Sequence, residues 1–185
     1  MPSPLHVPHS RMDKMVFRWL DGYAEHTPGT EAFHGVSTLL GNDSEVQPDA
    51  VLMTVAGSSV HQPIADVGPV IGAPELVVEI AASTAPIDLF EKRALYEREG
   101  VWEYLVILVR KPERVLWFVR RREQFEELNP GGDGLFRSEV FPGLGLDPAA
   151  LLQGNSARVR EVVEQGLATA EHTDFVQQLG SAHSG

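Results

Sequence analysis

The 185-residue sequence contains no cysteine. This absence excludes disulfide bonds, zinc sites built on thiolates and cysteine nucleophiles. It fits a reducing compartment, and a cytoplasmic location is expected. The sequence also lacks any apolar run near the roughly 20 residues that cross a bilayer, and the N-terminus lacks the charged start and apolar stretch of a secretion signal. We therefore expect a protein that is neither membrane-bound nor exported.

Basic residues are scarce, with 15 lysines and arginines against 26 acidic residues and a net charge of -11. Because lysine and arginine supply nonspecific affinity for phosphates, this balance argues against a protein that coats nucleic acid. Their distribution is uneven, however, and 13 consecutive positions hold a basic strip of Arg110, Lys111, Arg114, Arg120, Arg121 and Arg122. Such a strip is able to hold a phosphate backbone despite the overall charge.

Two further classes of site lack support. The segment "NPGGDG" follows a charged stretch and does not join a strand to a helix, so it does not match a nucleotide-binding loop. A histidine metal site would draw on His6, His9, His26, His34 and His61. Their spacing fits no zinc motif, and scattered surface histidines are the better interpretation.

The remaining pattern predicts one domain with a hydrophobic core, because 185 residues of 43% hydrophobic content suffice for one core and not for two. A three-and-four spacing of apolar residues predicts a helix over Met12–Tyr23. Residues 56–74 are rich in glycine and proline and indicate a loop. Five strands and two helices are predicted after the first helix. The strands are "EAFHGVSTLL", "QPDAVLMTV", "ELVVEIAA" and the hairpin pair "VWEYLVILV" and "RVLWFVRR". The helices are "IDLFEKRALYERE", which Gly100 ends, and the short closing helix "DPAALLQ". Aromatic residues in such strands, Trp102, Trp117 and Phe118, are more often core than base-stacking.

Glu79 breaks the local pattern most sharply, because it interrupts the apolar strand "LVVEIAA". An unpaired buried carboxylate there would cost several kcal/mol. One interpretation places Glu79 at the strand end, near solvent or paired with an arginine. The other makes it a metal ligand.

Asp49 follows Pro48 at the start of a strand, where an aspartate commonly binds nearby backbone amides. Antiparallel pairing of this strand with the next would bring Asp49 beside Glu79. Two converging carboxylates are what the hard cations Mg²⁺ and Mn²⁺ require.

Lys92 lies on the apolar face of its predicted helix, at the centre of an arc that also holds Asp88, Leu89, Leu95 and Tyr96. An inward lysine needs a partner. Asp88, one turn earlier, is a local candidate for that partner. Alternatively, the lysine extends its ammonium group to the edge of the sheet, where it meets solvent.

Taken together, "QPDAVLM", "GAPELVVEIAAST" and "DLFEKRALYEREGVWEYLVI" resemble the bacterial family of predicted restriction endonucleases labelled Uma-two, within the PD-(D/E)XK nuclease superfamily. The resemblance extends back to "PHSRMDKMVFRWL" and forward to "FRSEVFPGLGLDPAALL", and so covers most of residues 8 to 152. It implies an α/β (α+β) restriction-endonuclease-like core with a mixed central β-sheet flanked by helices. We expect this domain over residues 1–153, followed by a helical, partly disordered C-terminal tail over residues 154–185.

The resemblance also implies a metal-dependent endonuclease that acts on nucleic acid, expected to be DNA. Asp49, Glu79 and the Ile80 backbone carbonyl would bind Mg²⁺ or Mn²⁺, with Lys92 as the catalytic lysine. Asp88 and Tyr96 would support them, the basic strip would contact phosphates, and a homodimer is expected by analogy with two-strand cleavage.

Three departures from the family pattern stand out. Ala81 occupies the position two residues after the glutamate that usually carries the lysine. The lead-in before the first helix is short, and "IAAST" replaces a Leu-Ser-Pro-Ser-Thr type of turn. The alternative function is a catalytically silent nuclease fold that binds DNA or protein in a mobile-element, defence or regulatory system.

Overall fold

A computed structural model describes residues 7–41, 44–55, 68–81 and 86–182. Its helices are α1 (Val7–Ala24), α2 (Pro86–Arg98), α3 (Pro148–Gln153), α4 (Ser156–Leu167) and α5 (Ala170–Ala182). Its strands are β1 (Thr30–His34), β2 (Thr38–Leu40), β3 (Ser44–Val46), β4 (Ala50–Thr54), β5 (Val70–Ile71), β6 (Leu76–Ala81), β7 (Glu103–Leu108), β8 (Arg114–Arg121), β9 (Gln124–Leu128), β10 (Phe136–Arg137) and β11 (Gly145–Leu146). Among the described helices, none combines the length and apolarity that crossing a membrane requires.

The central sheet is mixed and has the order β1-β4-β6-β7-β8-β9. Only β6 and β7 are parallel within it, and the other neighbours are antiparallel. A parallel pair needs a crossover, which α2 supplies between these two strands. Two further small sheets have the strand orders β3-β2-β5 and β10-β11. The expected α/β architecture with a mixed central sheet is confirmed.

Helix α1 covers one face of the central sheet. The predicted helix is present and begins earlier, at Val7. Phe17 is 44% exposed, whereas six other apolar side chains of the helix are buried: Met12, Met15, Val16, Trp19, Leu20 and Tyr23. Polar ends are satisfied too, since Trp19 Nε1 donates to the Gly145 carbonyl at 2.8 Å and the Tyr23 hydroxyl donates to the Pro142 carbonyl at 2.9 Å. These bonds fix α1 against the closing segment of the domain.

Helix α2 covers the opposite face, where Tyr96 is fully buried. Two of its side chains bind the backbone of the edge strand β9 at one residue. Arg93 donates to the Phe125 carbonyl at 2.8 Å, and the Glu97 carboxylate accepts the Phe125 N–H. An edge strand otherwise leaves such groups unpaired. The helix is thereby held in register with the sheet.

Glu103 is a fully buried carboxylate that ties the closing segment to β7. It accepts hydrogen bonds from the Ser138 hydroxyl at 2.7 Å and from the backbone N–H groups of Glu139 at 2.7 Å and Val140 at 3.3 Å. Burial raises the pKa of Glu103 to about 7, and the three donors only partly offset that effect. Local pattern did not reveal this anchor, because its partners lie 35 or more residues away.

Three strand predictions need correction. "EAFHGVSTLL" forms two strands, β1 and β2, in different sheets, because Gly35 turns the chain with a φ of +55°. Strand β9 was missed, because exposed glutamates in "QFEEL" mask its pattern. The predicted loop over 56–74 contains β5, and its residues 56–67 lie outside the described part of the chain.

The predicted aromatic core holds for Trp117 and Phe118, which are buried, whereas Trp102 is half exposed. Beyond residue 153 the chain forms helices α4 and α5. Val159 and Val163 of α4 belong to the same hydrophobic cluster as α1. The domain boundary at residue 153 stays a prediction.

Candidate active site

Asp49 and Glu79 meet where β4 begins and β6 ends. The two strands are antiparallel, with Ala50 opposite Val78, so the next position along the ladder sets Asp49 opposite Glu79. Asp49 Oδ2 accepts the Ile80 N–H at 2.6 Å. The Asp49 side chain thus accepts the hydrogen bond that the Ile80 N–H would otherwise donate to a backbone carbonyl of the neighbouring strand. The predicted antiparallel pairing is present, and so is the backbone-binding role of a turn aspartate. The joint binding of a metal ion by the two carboxylates stays a prediction.

Glu79 is buried, and each of its oxygens has one hydrogen-bond partner among the described residues. Oε2 accepts from Lys92 Nζ at 2.7 Å, and Oε1 accepts from the Tyr96 hydroxyl at 2.7 Å. Burial raises the pKa of Glu79, whereas the charge of Lys92 and the two hydrogen bonds lower it in part. The strand glutamate is therefore compensated by a lysine and a tyrosine of α2 and not by an arginine.

Lys92 reaches Glu79 from the sheet-facing side of α2 and keeps 45% of its side chain exposed. Its ammonium therefore lies between a buried carboxylate and solvent. Tyr96, one turn later, is buried, and burial together with the nearby Glu79 charge raises the pKa of its hydroxyl. Tyr96 is consequently a hydrogen-bond donor throughout the neutral range. The side chain of Asp88, the local alternative partner, lies outside the described residues.

The backbone of Ile80 faces the Asp49 side of β6. Carbonyls of Glu75 and Ala81 bond to β7, and alternation along the strand turns the groups of Ile80 toward β4. The Ile80 N–H is bound to Asp49, and its carbonyl points to the same side. Ala81 contributes no charge at the position where the superfamily carries a lysine.

His9 is a site neighbour that sequence reasoning missed. Its Nε2 lies 3.5 Å from Asp49 Oδ1, and its side chain is 16% exposed. The signal was available in the sequence, because His9 precedes Met12 by three positions and Val16 by seven, which places it on the buried face of α1.

The other described histidines have partners of their own away from His9. His26 binds the Gly22 carbonyl through Nδ1, and the His34 ring packs against Phe17 at an angle of 55°. His6 and His61 lie outside the described residues. Over the described part of the chain, no group of three or more His, Asp or Glu side chains is placed to hold a metal ion.

The basic strip divides into two groups at opposite ends of β8. Arg114 lies opposite Leu108, which lies opposite Ala81, so it shares the sheet end of Glu79 with the hairpin residues Arg110 and Lys111. The second group comprises Arg120, Arg121 and Arg122. It lies at the far end of β8, where both terminal nitrogens of Arg121 bond to Glu139 at 2.6 Å.

Comparisons with known proteins agree with this architecture. A model of the Uma2 family, described as "Putative restriction endonuclease", matches residues 1–149. A crystal structure described as a putative nuclease of DUF820 from Anabaena variabilis is similar with a TM-score of 0.57 and 15% identity, over 88% of this chain and 84% of that chain. At this identity the likeness establishes a shared fold. No protein of curated function matches the chain.

Proposed function

This chain belongs to the Uma2 family of "putative restriction endonucleases", and we propose that it is a metal-dependent endonuclease that hydrolyses phosphodiester bonds in DNA. One observation carries the proposal. The buried carboxylate of Glu79 is held by Lys92 at the end of β6, directly beside the strand that begins after Asp49.

The residues present fit a hard divalent cation. The candidate ligands are Asp49, Glu79 and the Ile80 carbonyl, and all of them offer oxygen. The Ile80 N–H engages Oδ2 of Asp49, and Oδ1, which lies 3.5 Å from His9 Nε2, keeps a second lone pair for a ligand. Each Glu79 oxygen has one hydrogen-bond partner among the described residues. Mg²⁺ is commonly bound by one or two carboxylates and several waters, so two carboxylates and one carbonyl suffice. Bound there, Mg²⁺ or Mn²⁺ would polarise the scissile phosphate and acidify the attacking water.

Lys92 supplies the positive charge of the site. Its ammonium is bound to Glu79 on one side and open to solvent on the other, so a phosphate at the site would meet it directly. There it would stabilise the negative charge that develops on the phosphate oxygens, or orient the attacking water. Tyr96 holds the second oxygen of Glu79 and thereby fixes the carboxylate's direction. Asp88 belongs to the same helix and keeps a proposed supporting role.

Phosphate contacts away from the reacting bond fall to Arg110, Lys111 and Arg114. These residues are exposed and share the sheet end of the candidate site. Their contacts would position the backbone and carry little sequence preference. Arg120, Arg121 and Arg122 lie at the other end of β8, where they would serve a longer substrate.

We further propose that the active form is a homodimer. Cleavage of both strands of a duplex is readily achieved when two identical sites are related by a twofold axis. Light scattering coupled to size-exclusion chromatography measures the state directly, with and without duplex DNA. A monomer under both conditions would restrict the proposal to nicking or single-strand cleavage.

Cleavage of supercoiled plasmid and single-stranded DNA with Mg²⁺ or Mn²⁺ tests the proposal. We expect wild-type cutting that EDTA abolishes, and losses of about 100-fold or more in Asp49→Asn, Glu79→Gln and Lys92→Met. Lys14→Met, on the exposed side of α1, is the matched control and should cut normally. Wild-type protein that binds DNA and cuts under neither metal would support the silent nuclease fold, which the alanine at position 81 favours.

A further inference from the structure

We propose that His9 is a positioning residue of the candidate active site and acts by holding the carboxylate of Asp49. The inference rests on the proposed function and adds α1 to a site otherwise built from β4, β6 and α2. Asp49 Oδ2 accepts the Ile80 N–H at 2.6 Å, whereas Oδ1 lies 3.5 Å from His9 Nε2. One oxygen is approached by the backbone of β6 and the other by an imidazole.

The location of His9 on α1 indicates that this contact is built into the fold. Residues 9, 12 and 16 lie on one helical face, and Met12 and Val16 are buried against the sheet. A polar ring that continues an apolar face needs a polar partner where that face ends. Asp49 is the charged group at that point, and its side chain is 25% exposed.

The element that carries His9 is rigid. Trp19 and Tyr23 of the same helix are almost fully buried and hydrogen-bond to the carbonyls of Gly145 and Pro142. A side chain on an anchored helix is placed more precisely than one on a loop. His9 is therefore able to restrict the orientation of Asp49.

The other histidines near α1 have different surroundings. His26 is exposed and contacts the carbonyl of Gly22 in the preceding turn. His172 is buried at the opposite end of α1, where its Nε2 lies 2.9 Å from the Thr27 hydroxyl. His9 is thus the described histidine that faces a candidate metal-binding carboxylate.

The action follows from the geometry. With a hydrogen on Nε2, the ring donates toward Oδ1 and opposes rotation of the Asp49 carboxylate about its Cβ–Cγ bond. Oδ1 then stays directed toward the proposed metal-binding position. Groups that orient ligating side chains typically change metal affinity 10- to 100-fold when removed, so we expect His9→Ala to weaken Mn²⁺ binding about 10-fold or more.

Mn²⁺ titration of the full chain, followed by the electron paramagnetic resonance signal of the free ion, tests this inference. The proteins are wild type, His9→Ala, His9→Gln, Asp49→Ala and the matched control His26→Ala. The glutamine amide nitrogen reaches the position of Nε2 and donates a hydrogen bond. We therefore expect His9→Gln to stay closer to wild type than to His9→Ala, and His26→Ala to match wild type.

The outcomes separate this inference from the proposed function. If Asp49→Ala abolishes Mn²⁺ binding and His9→Ala leaves it unchanged, only the role of His9 is overturned. The same conclusion follows if His9→Gln binds Mn²⁺ as weakly as His9→Ala. Absence of Mn²⁺ binding in wild type overturns the metal site itself. If His9→Ala does not fold, the chemical shift of the Ile80 amide proton in metal-free His9→Gln serves as the measurement instead. A chemical shift equal to that of wild type supports the inference. A different chemical shift contradicts it.

Discussion

Lys92 Nζ lies 2.7 Å from Glu79 Oε2, so a helix delivers to the strand carboxylate the charge that the superfamily usually encodes two positions along the same strand. Side chains two apart on a strand point to the same face. The side chain at position 81 therefore lies on the face of the sheet that α2 covers, and Lys92 reaches the same face from the helix. Ala81 leaves room for this arrangement, because its side chain is small.

A lysine at position 81 should accordingly replace part of the function of Lys92. We expect Lys92→Met to lose DNA cleavage and the double variant Ala81→Lys/Lys92→Met to recover part of it, since both positions bring an ammonium to Glu79. Plasmid cleavage at matched protein and Mg²⁺ concentrations measures the effect. If the folded double variant recovers no DNA cleavage, Lys92 is required for more than the charge that it brings to Glu79.

Tyr96 and Tyr104 form a matched pair for testing support of Glu79. Tyr96 donates to Glu79 Oε1, whereas the Tyr104 hydroxyl is buried with no hydrogen-bond partner among the described residues. We expect Tyr96→Phe to lower the free energy of unfolding by about 1–3 kcal/mol, because a buried acceptor loses its donor. Tyr104→Phe should be neutral or slightly stabilising. Urea denaturation compares the two, and equal losses would contradict the assignment.

Glu103 should make stability depend on pH. Its pKa in the folded protein is raised from 4.5 to about 7, chiefly by burial, so the folded state keeps a proton that the unfolded state releases above 4.5. Its stabilising contribution is therefore present below about pH 4.5 and is lost as the pH rises through about 7. Urea denaturation at pH 5 and pH 8 should show a larger loss for Glu103→Gln at pH 5.

The matched control for that experiment is Glu113→Gln, because Glu113 is exposed on the hairpin between β7 and β8. Its effect on the free energy of unfolding should be small at both pH values. A loss for Glu103→Gln that grows from pH 5 to pH 8 would reverse the sign of the argument and indicate that the three donors outweigh burial.

Gly166 of α4 is required by a close approach of two backbones. A Cβ at this position would overlap the Gly143 carbonyl, whereas a Cβ at Gly180 of α5 would meet no atom of the described residues within 4 Å. We expect Gly166→Ala to lower the free energy of unfolding by about 1–3 kcal/mol through overpacking. Gly180→Ala should raise it by up to about 1 kcal/mol, since alanine favours helix. Thermal unfolding distinguishes the pair, and a stabilised Gly166→Ala would refute the contact.

The sequence predicted that Asp49 and Glu79 lie on neighbouring antiparallel strands because both residues carry local signals. Glu79 is costly inside an apolar strand, and Asp49 opens the strand before it. The same reasoning missed His9, because it began the first helix at Met12 and counted His9 among scattered surface histidines. It also treated the basic strip as one unit, although hairpin geometry separates its two halves along β8.

The sequence by itself determined the main helices, most central strands and the likeness to a nuclease family, because helical and strand periodicities and the cost of burying a carboxylate are local. Tertiary structure alone decided that Lys92 binds Glu79, that His9 faces Asp49 and that β9 joins the sheet edge. These relationships depend on the order of strands and on which helix covers which face. Such choices are made by packing between segments far apart in the chain, and no local pattern encodes them.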